Sequence, residues 1–180
     1  MKQEQINQVK SVVRNVPDFP VPGIQFKDLT TAFKNPQALQ IMREGLAELY
    51  ADKGVTKVVG IEARGFIGGA MLAADLNAGF VPLRKPGKLP AETIQKTYSK
   101  EYGTDVIEIH KDAITPEDVV VIHDDLLATG GTMMAAYELV KSMNPKKVYI
   151  SFICELLGLE GRSIFPADVE VTSLFDFPDK

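Results

Sequence analysis

The sequence predicts an α/β domain built around a doubly wound, mainly parallel sheet, and two observations support this. Beyond residue 54, apolar segments with the length of strands alternate with segments of helical periodicity. The strand segments include continuous runs such as Val119-Val120-Val121-Ile122, which are typical of strands buried on both faces. The chain has 180 residues, 45% of them hydrophobic, which suits a single domain spanning 1–180 with a substantial core.

The first 34 residues are predicted to form a small amino-terminal hood. A modest helical pattern covers about residues 3–14. Segment 17–23 contains three prolines, which fix φ and remove donors, so it is predicted to be extended and rich in turns. Asn35 and Pro36 have the residue types of a helix cap and a first helical position, which predicts a helix from here to about Gly54.

The remaining elements alternate along the chain. Strands are predicted at 57–61, 79–84, 118–123, 147–154 and 168–175, and helices at 65–77 and 132–143. In such sheets ligands bind beyond the carboxyl ends of the strands, so one crevice is predicted from the loops at 62–65, 85–103 and 124–131. Segment 85–110 is long for a connection, and from residue 91 it is polar without a sustained apolar face. This predicts a flexible loop that closes as a lid and shields the reaction from water.

Charge, hydropathy and cysteine content exclude several classes of protein. A net charge of -4 with 24% charged residues gives no basic field for nucleic acid or an anionic membrane. No apolar run approaches the roughly 18–20 residues of a membrane span, and the amino terminus has no signal-type hydrophobic region. The one cysteine, Cys154, lies in an apolar segment and is predicted to be a buried thiol in a reducing, cytoplasmic setting. With only His110 and His123, a histidine-rich metal site is excluded.

The segment after the strand at 118–123 predicts a site for ribose 5-phosphate. A glycine-rich helix start offers unpaired N–H groups, hydroxyls and a positive dipole end to a phosphate. The residues of this phosphate loop are Ala128, Thr129, Gly130, Gly131 and Thr132. It lacks the lysine of a Walker-type loop, and the preceding Asp124 and Asp125 supply acceptors for vicinal sugar hydroxyls. Taken alone, the two glycines are equally consistent with a plain polar turn.

Two other predicted strands end in basic segments that suit a leaving pyrophosphate. These segments are Glu62-Ala63-Arg64-Gly65-Phe66 and Arg84-Lys85-Pro86-Gly87-Lys88-Leu89-Pro90. Four cations beside one crevice neutralise phosphate oxygens, and the guanidinium of Arg64 suits bidentate contacts. A solvated charge cluster explains the lysines alone equally well.

The ten-residue string from His123 to Thr132 closely resembles the 5-phosphoribosyl-1-pyrophosphate (PRPP) signature of the type I phosphoribosyltransferases, in the form characteristic of their adenine-specific members. The segments at 17–28, 62–66 and 97–103 resemble the same family in the same order. The likeness spans roughly residues 16–176. Two positions depart from the usual pattern: His123 stands where a hydrophobic residue is common, and Gln25 often corresponds to an apolar residue. A strand-end histidine is more typical of packing or hydrogen bonding than of catalysis.

The resemblance implies roles for individual residues. Asp124 and Asp125 hold the ribose hydroxyls, and the phosphate loop holds the 5′-phosphate. Glu101 in the mobile loop is a candidate proton donor to the base. Arg64 is the second catalytic candidate, and the pyrophosphate contacts are Glu62, Ala63, Arg64, Arg84, Lys85 and Lys88. The adenine contacts are Gln25, Phe26, Lys27 and Leu156, with Phe26 stacked on the base, although alone Phe26 and Leu156 are each more typical of core residues than of ligand contacts.

The implied reaction joins adenine to PRPP and gives AMP and pyrophosphate in purine salvage. Mg²⁺ is expected to bridge substrate oxygens, since the sequence offers no dedicated metal cage. The family counterpart of Arg84 reaches across a dimer interface, which implies a homodimer. Two alternatives stay open: a transferase for hypoxanthine, guanine or xanthine, and a PRPP-sensing regulator, against which the acidic charge argues.

Overall fold

The computed structural model describes residues 1–99 and 103–178. In chain order the helices and strands are α1 (Gln3–Val12), β1 (Arg14–Pro17), β2 (Gln25–Asp28), α2 (Thr30–Phe33), α3 (Pro36–Tyr50), β3 (Lys57–Ile61), α4 (Gly65–Asp75), β4 (Gly79–Leu83), β5 (Thr93–Ser99), β6 (Thr104–His110), β7 (Val119–Leu127), α5 (Gly131–Lys141), β8 (Lys147–Leu156) and β9 (Val171–Phe177). Short 3₁₀ turns cover Leu157–Leu159 and Gly161–Ile164.

A five-stranded sheet with the order β4-β3-β7-β8-β9 forms the centre of the fold, and all four neighbouring pairs are parallel. Successive residues of these strands point to opposite faces. Val58 and Val121 pack with the side chains of α3 and α4, whereas Val59 and Ile122 pack with α5 and with β6. Both faces are therefore covered, and the prediction of a doubly wound α/β sheet is confirmed.

The helix α3 begins where its sequence predicts. The Asn35 side chain accepts a hydrogen bond of 3.0 Å from the backbone N–H of Ala38, and Pro36 occupies the first turn, where its missing N–H costs nothing. One face of α3 buries Met42, Leu46 and Tyr50 against the sheet. No helix of the described residues is long and apolar enough to cross a membrane.

The structure extends one predicted strand and contains a hairpin that the sequence analysis does not predict. The strand predicted at 118–123 continues to Leu127, because β7 pairs with β8 beyond the two acids, as Leu126 does with Cys154. The polar segment 91–110 is not a plain connection, because β5 and β6 pair along it as an antiparallel hairpin. Ile107 and Ile109 alternate with polar residues in β6 and enter the core, which a search for a sustained apolar face misses.

The amino-terminal segment contributes α1 and a small antiparallel ribbon of β1 and β2, whose strands are connected through segment 17–23. Asp28 fixes this ribbon, since it pairs with Arg14 and accepts from the backbone N–H and hydroxyl of Thr30 at 2.9 and 2.6 Å. These hydrogen bonds lower the pKa of Asp28 to about 2. The carboxylate therefore stays charged and keeps the ribbon folded at neutral pH.

Candidate active site

The carboxyl ends of β3, β4 and β7 meet at one edge of the sheet and enclose a crevice. A cavity of about 220 Å³ is lined by Ile61, Glu62, Leu83, Arg84, Lys85, Tyr98, Ile107, Asp124 and Thr132. A second cavity of about 110 Å³ is lined by Asp124, Leu126, Leu127, Ala128, Thr129, Gly130, Gly131, Thr132, Met133 and Phe152. Asp124 and Thr132 border both cavities, so the loops after the three strands contribute to one continuous site, as the sequence predicts.

The two adjacent acids of β7 have different surroundings. Asp124 is half-buried and faces the crevice, whereas Asp125 is 2% exposed. The Arg64 Nε lies 2.9 Å from Asp125 Oδ2 as an ion pair, although its N–H is not aimed at that oxygen in hydrogen-bond geometry. Burial raises the pKa of Asp124, and the charge of Asp125 raises it further. Burial also raises the pKa of Asp125, while Arg64 opposes that rise.

Close packing of α4 against β7 depends on two glycines. A Cβ on Gly65 would lie 2.7 Å from the carbonyl oxygen of His123 and 3.1 Å from Asp124 Oδ1. A Cβ on Gly68 would lie 2.3 Å from His123 Nε2. His123 is fully buried with its Nδ1 3.1 Å from the Ser151 hydroxyl, and burial lowers its pKa to about 3. In this structure His123 therefore packs and hydrogen-bonds, which is the more typical role of a strand-end histidine.

The phosphate loop leads from the end of β7 into α5. Gly130 precedes the helix with a φ of 82°, a left-handed conformation that glycine adopts without strain. The first N–H groups of α5 have no intrahelical acceptor, which leaves them directed at the loop as an anion-binding end. Thr132 at this end has its hydroxyl 3.1 Å from the Tyr98 hydroxyl, so β5 lies over the loop.

Glu62 does not present a free carboxylate to the crevice. It accepts hydrogen bonds from Arg84 Nε at 3.1 Å and Nη2 at 3.0 Å, and from the Lys85 backbone N–H at 3.0 Å. The Arg84 guanidinium lowers the pKa of Glu62. Lys85 pairs with Asp105, and Lys88 is exposed. Glu62 therefore orients the basic segment. The residues next to Glu62 in the sequence do not indicate this role.

Glu108 is a site-adjacent residue that the sequence analysis misses. Its carboxylate is 2% exposed and accepts from the backbone N–H groups of Gly87 and Leu89 at 3.0 and 3.4 Å. The side chains of Gln95 and Thr93 donate to it at 3.0 and 3.3 Å. The signal available in the sequence is one acid between Ile107 and Ile109 in a buried strand. Glu108 thus ties the basic segment 84–89 to the hairpin.

The residues predicted to bind a base lie in β2 and at the end of β8. The Phe26 ring lies 5.1 Å from the Phe19 ring, edge to face, and 5.6 Å from the Arg64 guanidinium carbon. Asn15 donates to the Gln25 side chain at 2.7 Å and accepts from Lys27 Nζ at 3.1 Å.

The structure does not expose Leu156, the fourth predicted base contact. Leu156 is 7% exposed, because β8 continues to this residue and pairs with Phe177 of β9. The next residue, Leu157, is 47% exposed. The segment after β8 therefore presents Leu157 to solvent, which the sequence analysis misses.

Two predicted catalytic residues, Arg64 and Glu101, are not seen in their predicted positions. Arg64 is predicted to contact pyrophosphate. In this structure its guanidinium pairs with Asp125 and lies over the Phe26 ring, because the buried carboxylate attracts the nearby cation. Glu101 lies outside the described residues. Within residues 1–99 and 103–178, no group of three or more His, Cys, Asp or Glu side chains could hold a metal ion.

A parallel α/β sheet that presents paired acids, a helix-start phosphate loop and a basic segment at one edge defines a phosphoribosyltransferase. The sequence profile of the phosphoribosyl transferase domain matches residues 29–171. The adenine phosphoribosyltransferase of Bacteroides thetaiotaomicron is 63% identical over 166 residues, which cover 92% of this chain and 94% of that protein.

Solved structures agree with these comparisons. Adenine phosphoribosyltransferase from Rhodothermus marinus superposes with a TM-score of 0.91 at 49% identity, covering 98% of this chain and all of that one. The Saccharomyces cerevisiae enzyme, solved with adenine and an imino-altritol bisphosphate, has a TM-score of 0.89 at 39% identity, covering 96% of this chain and 99% of that one. The chain belongs to the adenine phosphoribosyltransferase family. The family membership that the sequence motifs indicate is therefore confirmed.

Proposed function

We propose that the protein transfers the ribosyl phosphate group of PRPP to adenine and releases pyrophosphate. The observation that carries this is Asp124 at the junction of the two cavities, with the phosphate loop on one side and Arg84 and Lys85 on the other. A donor with a 5′-phosphate, a diol and a pyrophosphate needs these three features in this order. Relatives at 55–63% identity carry the adenine phosphoribosyltransferase name, so the 6-oxopurine alternative is not favoured.

The phosphate loop and the two acids hold the donor. Backbone N–H groups and hydroxyls of residues 128–132 surround the 5′-phosphate, where the helix dipole favours its charge. Asp124 and Asp125 accept hydrogen bonds from the ribose hydroxyls. Both acids lie within β7, which pairs with β8 before and after them, so C1′ of the ribose is held rigidly.

The basic segments receive the leaving group. Displacement at C1′ develops negative charge on pyrophosphate, and nearby cations stabilise that charge more in the transition state than in the ground state. The cations are Arg64, Arg84, Lys85 and Lys88, with Glu62 and the Ala63 backbone shaping the turn that carries them. Arg64 exchanges its pairing with Asp125 for pyrophosphate oxygens once the ribose hydroxyls occupy that acid.

The amino-terminal hood selects the base. Phe26 stacks on adenine while the backbone groups of Gln25 and Lys27 read its edge. As N9 of adenine bonds to C1′ and the bond from C1′ to the pyrophosphate oxygen breaks, Glu101 donates a proton to another ring nitrogen and the N9 proton is released. The hood at 1–34 and the segment 85–110 are taken to belong to one domain spanning 1–180 and to close the crevice from water together.

Mg²⁺ fits the donor set of this site. The described acids at the crevice are too few for an all-protein cage, whereas Mg²⁺ prefers one or two carboxylates together with phosphate oxygens and water. Asp124 and Asp125 are the carboxylates closest to a bound ribose. When bound, the ion neutralises pyrophosphate charge and orients the donor.

Two copies are proposed to form the working enzyme in the cytoplasm. Ile67 and Phe80 expose 40% and 36% of their surfaces on α4 and β4, the elements next to Arg84. The Arg84 guanidinium lies 6.0 Å from the Phe66 ring on the same side. Light scattering of the purified protein should give the mass of a dimer; a monomer that retains full activity would contradict the proposal.

Base preference decides between the candidate functions. Purified protein is incubated with PRPP, Mg²⁺ and adenine, hypoxanthine, guanine or xanthine in turn, and the products are separated by chromatography. AMP formation from adenine, with little product from the other bases, is expected. Turnover confined to the 6-oxopurines would overturn the specificity, and PRPP binding without turnover of any base would favour a sensor.

Phe26→Ala is expected to raise the KM for adenine about tenfold or more, because a stacked aromatic contributes roughly 1–3 kcal/mol to base binding. The KM for PRPP should change little. Tyr149→Ala is the matched control, since Tyr149 also lies under a cation, Lys53 at 4.7 Å, but near the amino end of β8. Equal effects of the two changes on adenine would remove Phe26 from the base site.

A further inference from the structure

The phosphate loop is in direct backbone contact with a segment far away in sequence. A Cβ on Gly161 would lie 2.0 Å from the carbonyl oxygen of Ala128. From the other side, a Cβ on Gly130 would lie 2.8 Å from the carbonyl oxygen of Gly161 and 2.8 Å from Ile164 Cδ1. Two backbone segments approach this closely only where a glycine has no side chain to fill the space between them. The turn Gly161–Ile164 therefore forms the rear wall of the phosphate loop.

This wall is fastened by an ion pair. Arg162 Nε lies 3.1 Å from each carboxylate oxygen of Glu155, and Nη2 completes a forked contact. Glu155 is 5% exposed in β8, which holds it rigidly within the sheet. Arg162 also donates to the Val171 carbonyl oxygen, and the Ser173 hydroxyl donates to Glu155 at 3.4 Å. The residue after Gly161 is thus anchored to both β8 and β9.

The fastening acts on the loop through a contact with little freedom. Gly161 has no side chain of its own to anchor it, and the next residue, Arg162, makes the contacts to β8 and β9. If Arg162 is released, the Gly161 carbonyl and Ile164 no longer press on Gly130, and the loop amides are no longer fixed. A loop that must be ordered on binding loses part of the affinity for its phosphate.

We propose that Glu155 and Arg162 are positioning residues for the 5′-phosphate: they clamp Gly161 against Ala128 and so hold the phosphate loop in its binding conformation. Neither residue touches the substrate. This deepens the proposed function, because it rests on residues 128–132 being the 5′-phosphate site. The pyrophosphate contacts lie on the loops after β3 and β4, away from this wall, so the clamp affects one end of the donor and leaves the other unchanged.

The test compares ligands that carry one end of the donor. Arg162→Met and Gly161→Ala are titrated calorimetrically with ribose 5-phosphate and, separately, with pyrophosphate and Mg²⁺. We expect both variants to bind ribose 5-phosphate at least about tenfold more weakly, since sub-ångström displacements of binding groups have effects of this size. Pyrophosphate binding should stay within about twofold, and in steady state the KM for PRPP should rise more than kcat falls.

Controls separate positioning from general instability. Arg43→Met removes an equally forked pair, Arg43 with Asp75, that joins α3 to α4 away from the crevice, and it should leave both ligands unaffected. If Arg162→Met fails to fold because Glu155 is left buried and unpaired, Gly161→Ala keeps the ion pair and carries the test, and Glu155→Gln/Arg162→Met removes both charges.

Unchanged ribose 5-phosphate binding in Gly161→Ala, or equal loss of both ligands, would overturn the clamp. A wild type that binds ribose 5-phosphate but makes no AMP would instead overturn the proposed function and leave the clamp standing. Rescue of ribose 5-phosphate binding by Arg162→Lys, which keeps one contact to Glu155, is expected to be partial, because lysine cannot form the forked contact.

Discussion

The double variant Asp124→Asn/Asp125→Asn is expected to lower kcat/KM for PRPP by about three orders of magnitude, since each charged hydrogen bond to a ribose hydroxyl contributes roughly 1.5–3 kcal/mol. Asparagine keeps the shape of each side chain but loses its charge. Single variants should each lose about one to two orders of magnitude. Steady-state kinetics with PRPP varied at saturating adenine measures this, and unchanged kinetics would remove both acids from the donor site.

The same change at position 124 should stabilise the fold while it removes function. Burial raises the pKa of Asp124 above its usual value, so the folded protein binds more protons than the unfolded chain above about pH 4. This group therefore lowers the stability of the wild type as the pH rises from there. Asp124→Asn lacks that loss, so its Tm should exceed that of the wild type by more at pH 7 than at pH 4.

Thermal unfolding of both proteins across this pH range measures the difference. Asp75→Asn is the matched control, because Asp75 lies in a surface pair with Arg43, and such pairs contribute at most about 1 kcal/mol. Its activity should equal that of the wild type. A Tm difference for Asp124→Asn that does not grow with pH would show that the acid is not destabilised by burial.

Glu108→Ala is expected to have the largest effect on stability, about 2 kcal/mol or more, because a hydrogen-bonded charged group contributes roughly 1.5–3 kcal/mol and four donors share this carboxylate, which is 2% exposed. Gly87, Leu89, Thr93 and Gln95 all donate to this carboxylate. Urea unfolding measures the change in free energy. The exposed pair of Glu92 with Lys111 provides the control, and Glu92→Ala should change stability by less than about 0.5 kcal/mol.

Activity should reveal a second consequence of losing Glu108. The segment from Arg84 to Leu89 carries the cations for pyrophosphate, and Glu108 fixes its backbone at Gly87 and Leu89. Product inhibition by pyrophosphate should therefore weaken in Glu108→Gln, which keeps one acceptor oxygen and more of the fold, while the KM for adenine stays close to the wild-type value. Equal changes in the inhibition constant for pyrophosphate and in the KM for adenine would contradict a specific role of Glu108 in holding the basic segment.

Features set by neighbouring residues could be predicted from the sequence. Asn35 and Pro36 start α3 because a cap and a first-turn proline act within a few residues. The buried run at Val119 to Ile122 identifies a central strand, and the acids and glycines that follow it identify a phosphate and sugar site. Such signals are local, so a single sequence contains them.

Features that depend on distant contacts could not be predicted. The pairing of Arg64 with Asp125, the acceptor role of Glu108 and the approach of Gly161 to Ala128 each join residues at least 13 positions apart. The hairpin of β5 and β6 leaves a weak signal in the sequence, because β5 has no buried residue and β6 buries only Ile107, Glu108 and Ile109. Neither residue type nor periodicity specifies which of many acids or glycines makes such contacts.

The packing of Gly68 against His123 restricts the order in which the two positions can change. A methyl group at 68 would overlap the imidazole, which fills the space between α4 and β7 and is held by Ser151. A chain that first acquires a smaller aliphatic residue at 123 opens a void into which alanine at 68 then fits, whereas the reverse order passes through a collision. The two sites therefore form an epistatic pair, and the histidine here makes the glycine irreplaceable until the histidine itself is lost.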